Sequence, residues 1–308
     1  MLNKAIKVIR YTRRFWFKVR CALLVQVGHT LLQALKAQYK LHIRVLMEEL
    51  QGGREGQIFR SENRIYRPCG KWSATVHRLL SHIAESGFNA APKPYGFDDN
   101  GNEILSYVEG DVFNYPLKGN IATNEALTSA AKLLRLYHDA SSSFLSKHSN
   151  ESLKWMLPSR EPIEVICHGD YAPYNVSLIG SETVGIIDFD TAHPAPRVWD
   201  IAYAVYTWAP FKTHEYDAMG DLKSQSIRAK QFCDAYGLLE KDRQALVKAM
   251  TYRVQALVEH MHNGANDGNK AFIENIEDGH HLAYLADIKY LSSHEQYITD
   301  VLMGEKCL

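Results

Sequence analysis

The 308 residues hold only five cysteines, an odd count, with no CxxC pair among them. That excludes a disulfide framework or zinc site as the organising feature, and the thiols read as those of a reduced, cytoplasmic protein. No apolar run is long enough to span a bilayer. The longest charge-free stretch, Cys21–Leu35, is about fifteen residues and includes Gln26, His29 and Gln33, against the roughly 20 that a spanning helix needs. The stretch is also too long for a signal peptide and lacks a clear small-residue cleavage site. Acidic residues are missing from the leader: residues 1–46 contain ten Lys/Arg and no Asp or Glu. The net charge of zero therefore averages two unlike pieces. Taking the leader's ten from 35 leaves residues 47–308 with 25 basic and 35 acidic residues, a net of −10. An acidic body argues against a nucleic-acid partner and weakly favours a cationic small ligand. Repeats and low-complexity tracts are absent too. What remains is an ordinary globular composition, 46% hydrophobic and 23% charged, long enough for one large or two modest domains.

The informative segment is Val165–Asp190, VICHGDYAPYNVSLIGSETVGIIDFD. Glu164–Cys167 and Val184–Ile187 are short, apolar and rich in β-branched residues, the composition of buried strands. Cys167 reads as a small strand residue rather than a nucleophile. Gly180 and Ser181 supply a turn between the two runs, and a hairpin-like pairing of them would bring Asp170, Asn175 and Asp188 to one edge. Pro173 keeps Ala172 out of helix, so the intervening loop is expected to be extended. Asp170 and Asn175 are five apart and Asp188 follows thirteen later. That is the order in which protein kinases place a catalytic Asp, a metal-binding Asn and a metal-binding Asp. Any one of these residues alone would read as a turn or cap residue. Together they point to phosphoryl transfer, which needs one carboxylate to take a hydroxyl proton and oxygen ligands to hold a divalent ion.

H-G-D-Y-A-P-Y-N followed by I-I-D-F-D resembles the aminoglycoside phosphotransferase and choline kinase family, which has H-G-D where protein kinases have H-R-D. Thr191–Trp208 extends the likeness, which covers roughly residues 47–308. The resemblance implies an α+β, protein-kinase-like two-lobed fold and a kinase using ATP and Mg²⁺ on a small-molecule hydroxyl acceptor. It implies that Asp170 is the general base, that His168 orders the catalytic loop, and that Asn175 and Asp188 are metal ligands. Asp190 is either a contact to a second metal or a turn cap. Asp200, opening the next helix, would brace the loop.

The expected domains are a basic helical extension over 1–46, a nucleotide-gripping N-lobe over 47–112 and a helical C-lobe over 113–308. For the leader, a peripheral non-catalytic helix is favoured. A helix on an anionic membrane surface, a helix packed on the enzyme, or translation starting at Met47 are the competing readings. In the N-lobe, the turn containing Gly53 and Gly56 would let backbone N–H groups approach phosphates, although such glycines usually mark a plain hairpin. Asn63–Pro68 reads as a strand presenting Arg67 to the phosphates, with Arg64 as its rival. A helix is predicted over Ser73–Ser86, ended by Gly87, with Val76, Leu79, Leu80 and Ile83 on one face. This helix lacks the Glu with which kinases hold their phosphate-binding cation. His77 could orient Arg67 instead, but reads more simply as a core histidine. Pro94–Gly96 and Glu103–Gly110 read as further strands, with the Tyr107 and Val108 backbone at an adenine ring.

From Asn124 onward the pattern is helical, over Ala126–Ala140, Ile201–Trp208, Ser226–Tyr236 and Lys241–Met261. The resemblance places the acceptor pocket among the C-terminal helices. Glu259, His260, His262, Asp267, Glu274, Glu277, Asp278, His280 and His281 gather there; most are expected to be solvated and some to line the pocket. His260 and His262 are two apart on a helix and point away from each other, which argues against a shared metal. Two alternatives remain: a binding-only pseudoenzyme, favoured by the missing helix Glu, and a membrane-associated kinase of a lipid or envelope sugar. The identity of the acceptor is not legible.

Overall fold

The computed structural model describes residues 48–50 and 56–304. The leader 1–46, Met47 and Gly53 lie outside the described residues. The chain divides into two compact units, residues 1–63 and 64–308, so the expected boundary at 112/113 falls within the second unit.

In the first unit β1 (Glu48–Glu49) pairs antiparallel with β2 (Phe59–Ser61). Gly56 has φ +73°, and its N–H donates to Glu49 Oε1 at 2.8 Å.

The second unit opens with β3 (Arg64–Pro68), α1 (Ser73–Glu85), β4 (Pro94–Phe97) and β5 (Asn102–Ser106). β5 lies between β3 and β4, antiparallel to both, in a register that sets Arg67 opposite Glu103. α1 forms where its apolar spacing predicts. Val76, Leu79, Leu80 and Ile83 are all buried, and Gly87 follows with φ +91°.

The remainder is mostly helical. α2 (Asn124–Ser141) is capped by the Thr123 side chain and packs against α5 (Leu222–Tyr236). The short α3 spans Phe144–Lys147. α4 (Arg197–Trp208) and α6 (Glu240–Asn266) pack together, and α7 (Lys270–Glu277), α8 (His280–Ser293) and α9 (Glu295–Met303) complete the unit. Trp208, Tyr137, Tyr171, Tyr206, Phe144 and Phe189 are fully buried side chains of one apolar core. Burial of each such side chain is worth about 1.5–3 kcal/mol before the entropy of ordering it.

Two short antiparallel strand pairs carry the informative segment, and their pairing differs from the expected one. β6 (Val165–Cys167) pairs with β9 (His193–Ala195). β8 (Glu182–Ile186) pairs instead with β7 (Val176–Ile179). The Gly180-Ser181 turn closes onto the nearest apolar run, VSLI, which costs less loop entropy than reaching back to β6. The loop before β7 is likewise not extended throughout. Ala172 is extended, but Pro173–Asn175 form a 3₁₀ turn with proline at its first position.

Candidate active site

Asp170 leaves the end of β6, where its carboxylate is held by the following 3₁₀ turn. Tyr174 Oη donates to Oδ1 at 2.9 Å, and Asn175 Nδ2 donates to Oδ2 at 2.8 Å and to the Asp170 carbonyl at 2.9 Å. Tyr203 Oη backs Tyr174 at 3.1 Å. Burial pushes the Asp170 carboxyl above its usual range, against the opposing pull of His168, the Tyr174 hydrogen bond and Arg253. A buried carboxylate with a raised pKa is a stronger proton acceptor than one in water.

The loop around Asp170 is fixed from below. Asp200, in the first turn of α4, accepts from the His168 N–H at 2.7 Å, the Gly169 N–H at 3.0 Å and His138 Nε2 at 3.0 Å. His138 Nδ1 in turn accepts from Tyr236 Oη at 2.8 Å, which fixes a neutral tautomer. Burial pushes His138 down. Burial would also raise Asp200, but the His138 hydrogen bond and its other donors hold it at about 2. His138, Cys167 and Asp200 offer ligand atoms within 4.8 Å of one another. His138 and Asp200 are committed to these hydrogen bonds, the Cys167 thiol donates to the Pro196 carbonyl at 3.4 Å, and burial pushes that thiol well up, so the trio is a brace rather than a metal centre. His168 is fully buried, with Nε2 donating to the Ile187 carbonyl at 2.9 Å and Nδ1 accepting from the Asp170 N–H at 3.3 Å. It ties the loop to the end of β8. Gly169 has φ +85°, and a Cβ there would run into the Thr191 carbonyl.

Asp188 follows β8 in the left-handed region at φ +60°, ψ 70°, a costly conformation for a non-glycine residue that the surrounding bonds impose. It stands beside Asn175, whose carbonyl accepts from the Ile187 N–H at 2.9 Å. Arg67 reaches the same place from β3. Its Nη1 donates to Asp188 Oδ1 at 2.8 Å, Nη2 to Asp190 Oδ1 at 2.6 Å and Nε to Glu103 Oε1 at 2.8 Å. Burial alone would lower the Arg67 pKa, but Asp190, Asp188 and Glu103 together hold it raised. His77 contacts Glu103 Oε2 at 2.9 Å and stacks on Phe97 with ring centroids 4.5 Å apart.

The sequence reading missed Glu103. It supplies from β5 the carboxylate sought on α1, and the helix contributes His77 to orient it. Only the strand register shows this, since an alternating strand gives no sign of which neighbour it faces. Arg64 instead lies over the exposed Tyr95 ring at 4.9 Å. Tyr107 and Val108 are half-buried beyond β5, and Val108 packs on Gly185.

On the far side of Asp170 a cavity of about 510 Å³ opens between the catalytic loop and α6, α7 and α8. Of the C-terminal acidic and histidine residues, Glu259, His260 and His280 line it. The other cavity residues of note are Arg160 and Arg253, neither of which stands out in the sequence. Arg253 Nη2 donates to the Gly169 carbonyl.

This arrangement defines a protein-kinase-like phosphotransferase fold, with a small antiparallel sheet followed by a mostly helical body. Residues 145–232 match the model of the phosphotransferase enzyme family. The trifolitoxin immunity protein of Rhizobium leguminosarum bv. trifolii is 33% identical over 217 residues, 68% of this chain and 82% of that protein. A choline/ethanolamine kinase family protein from Mesorhizobium loti superposes with a TM-score of 0.54 at 16% identity, covering 84% of this chain and 92% of that one. Plasmodium vivax ethanolamine kinase gives 0.54 at 14% identity over 79% and 82%. The chain belongs to the phosphotransferase enzyme family.

Proposed function

We propose that the protein transfers the γ-phosphoryl group of ATP to a hydroxyl of a small molecule, with Asp170 as general base. The observation that carries this reading is the position of Asp170. Its carboxylate is half-buried, oriented through both oxygens, and lines the 510 Å³ cavity while bonded to Asn175. The acceptor hydroxyl gives its proton to Asp170 while its oxygen bonds to the γ-phosphorus. The bond from that phosphorus to the β–γ bridging oxygen breaks, and ADP leaves. The transition state of such a transfer is loose, so placement and charge stabilisation supply most of the rate.

The donor set fits Mg²⁺, a hard cation that takes oxygen ligands. The Asp188 side chain is 48% exposed while anchored through Oδ1, and Asn175 uses its amide nitrogen on Asp170, leaving its Oδ1 for a ligand. Asp190 is the further carboxylate at hand. Bound there, the ion would neutralise phosphate charge. Arg67, steadied by Glu103 and His77, supplies a fixed positive charge at the same place. This carboxylate support favours an active enzyme over a binding-only relative.

The test is ADP release from ATP by the purified full chain, with magnesium and a panel of hydroxyl compounds. Unchanged turnover in Asp170→Asn would overturn the assignment. A second reading draws on the 33% identity to the trifolitoxin immunity protein: the acceptor is itself a toxin, inactivated by phosphorylation. Expression in a toxin-sensitive host should then protect it only while Asp170 is intact.

A further inference from the structure

Residues 47–308 carry an acidic excess, yet the cavity wall sets two arginines, Arg160 and Arg253, beside Asp170 and Glu259. Two arginines meet on one aromatic ring, the Arg160 guanidinium 3.8 Å from the centroid of Trp199 and that of Arg253 5.5 Å away. Arg253 also lies 4.3 Å from the Tyr203 ring, the tyrosine that backs Tyr174 and Asp170. Arg253 is only 6% exposed, yet its buried Nε has no hydrogen-bond partner. Among the described residues neither arginine forms an ion pair. Burial lowers the Arg160 pKa, repulsion from Arg253 adds to this, and Glu259 opposes it; Glu259 is an exposed side chain that Gln255 engages at 3.3 Å.

The other buried arginines are treated differently. Arg67 has three carboxylates, and Arg228 donates to the Trp208 and Ala122 carbonyls. A buried guanidinium with an unsatisfied Nε and no carboxylate, set beside a second arginine, is costly, and an anion that accepts from both relieves it. The rest of the wall is largely apolar, including Met156, Leu257, Met261 and Phe272. A cavity of this volume suits a small molecule with an apolar body.

We propose that the acceptor is an anionic hydroxy compound whose carboxylate or phosphate group is bound by Arg160 and Arg253 while its hydroxyl meets Asp170. The inference rests on the phosphotransferase reading of Asp170 and adds the acceptor's charge to it. Arg253 has a further consequence. Because it also holds the Gly169 carbonyl, an anion drawing on its guanidinium pulls against the loop that carries the base, coupling occupancy of the cavity to the placement of Asp170.

The experiment uses hydroxy compounds sharing one carbon skeleton and ending in ammonium, amide, carboxylate or phosphate. Binding to the full chain is measured by calorimetry, and transfer by ADP release with magnesium and ATP. Carboxylate or phosphate members should bind at least about tenfold more tightly than the amide, and comparison of those two arms identifies which anion is preferred. Arg160→Met should raise the acceptor KM about tenfold or more with kcat little changed, and Arg160→Lys should recover part of the loss. Arg160 is half-exposed, so this variant keeps the test valid even if Arg253→Met fails to fold. Preference for the ammonium or amide member overturns the inference, as does anion binding indifferent to Arg160→Met or no saturable anion binding at millimolar concentration. Anion binding that depends on Arg160, without phosphoryl transfer to any member, would instead count against the kinase reading and leave the anion site standing.

Discussion

Two groups of arginine flank the catalytic loop, and they are handled in opposite ways. Arg67, on the β3 side, is surrounded by Glu103, Asp188 and Asp190, so its charge is more than balanced within the protein. Arg160 and Arg253, on the α6 side, both lie within 5.5 Å of the Trp199 ring centroid, and among the described residues no carboxylate is paired to either. A balanced cluster is a permanent fixture that holds strands and loop in register. An unbalanced one is a site whose energetics are completed by something that arrives. Asp170 stands between them, with its charge tempered by His168 and Arg253 and opposed by Asp188.

The comparison can be broken in order of expected effect. Asp170→Asn removes the proton acceptor between the two groups and should lower turnover about a hundred- to ten-thousand-fold, measured as ADP release at saturating substrate. Glu103→Ala leaves Arg67 and His77 without their shared partner and should cost about 3–5 kcal/mol in urea unfolding, the usual effect of breaking a buried pair. A similar loss from Arg160→Met would remove the distinction between the two groups.

The brace beneath the loop gives a pH signature. Asp200 is held at about 2, below the ordinary aspartate value of 3.8. Its folded-state pKa is depressed, so the unfolded chain binds the extra proton across that window. The stabilisation is fully present above about pH 4 and is lost as pH falls towards 2. The amount is about 2–3 kcal/mol. Asp200→Asn should flatten the wild-type fall in the denaturant midpoint across that range; an unchanged slope would remove Asp200 as the cause. Smallest of all, Tyr236→Phe deletes one hydrogen bond to His138 and should cost about 1 kcal/mol, read as a small fall in the urea midpoint.

The catalytic end of the site was legible because its residues lie within one stretch of chain. Asp170, Asn175 and Asp188 lie on one loop and the hairpin that follows it, so their spacing suggested a chemistry, while the role of His168 came from the family resemblance. The pairing of the strands around them was not legible, since Val176–Ile179 is as apolar as its neighbours and proximity along the chain decided the partner. Glu103 was hidden because its function depends on facing Arg67 across a strand pair. Arg253 sits in a helix rich in charged residues, where nothing marks one arginine as buried. Of the fold, α1, α2 and α4–α6 could be read from their buried stripes. α7 contains no buried residue, and α8 buries only Asp287 and Leu291, too few to set a period.

Gly169 separates this loop from its H-R-D counterpart by more than side-chain chemistry. Any substituent on its α-carbon meets main chain at Thr191, and main chain cannot step aside as a flexible side chain does. Conversion to arginine therefore requires residues 189–191 to move first, and those residues carry Asp190, which anchors Arg67. A side chain at this position would therefore disturb the loop and the charge cluster together, so one missing carbon links the shape of the catalytic turn to the anchoring of Arg67.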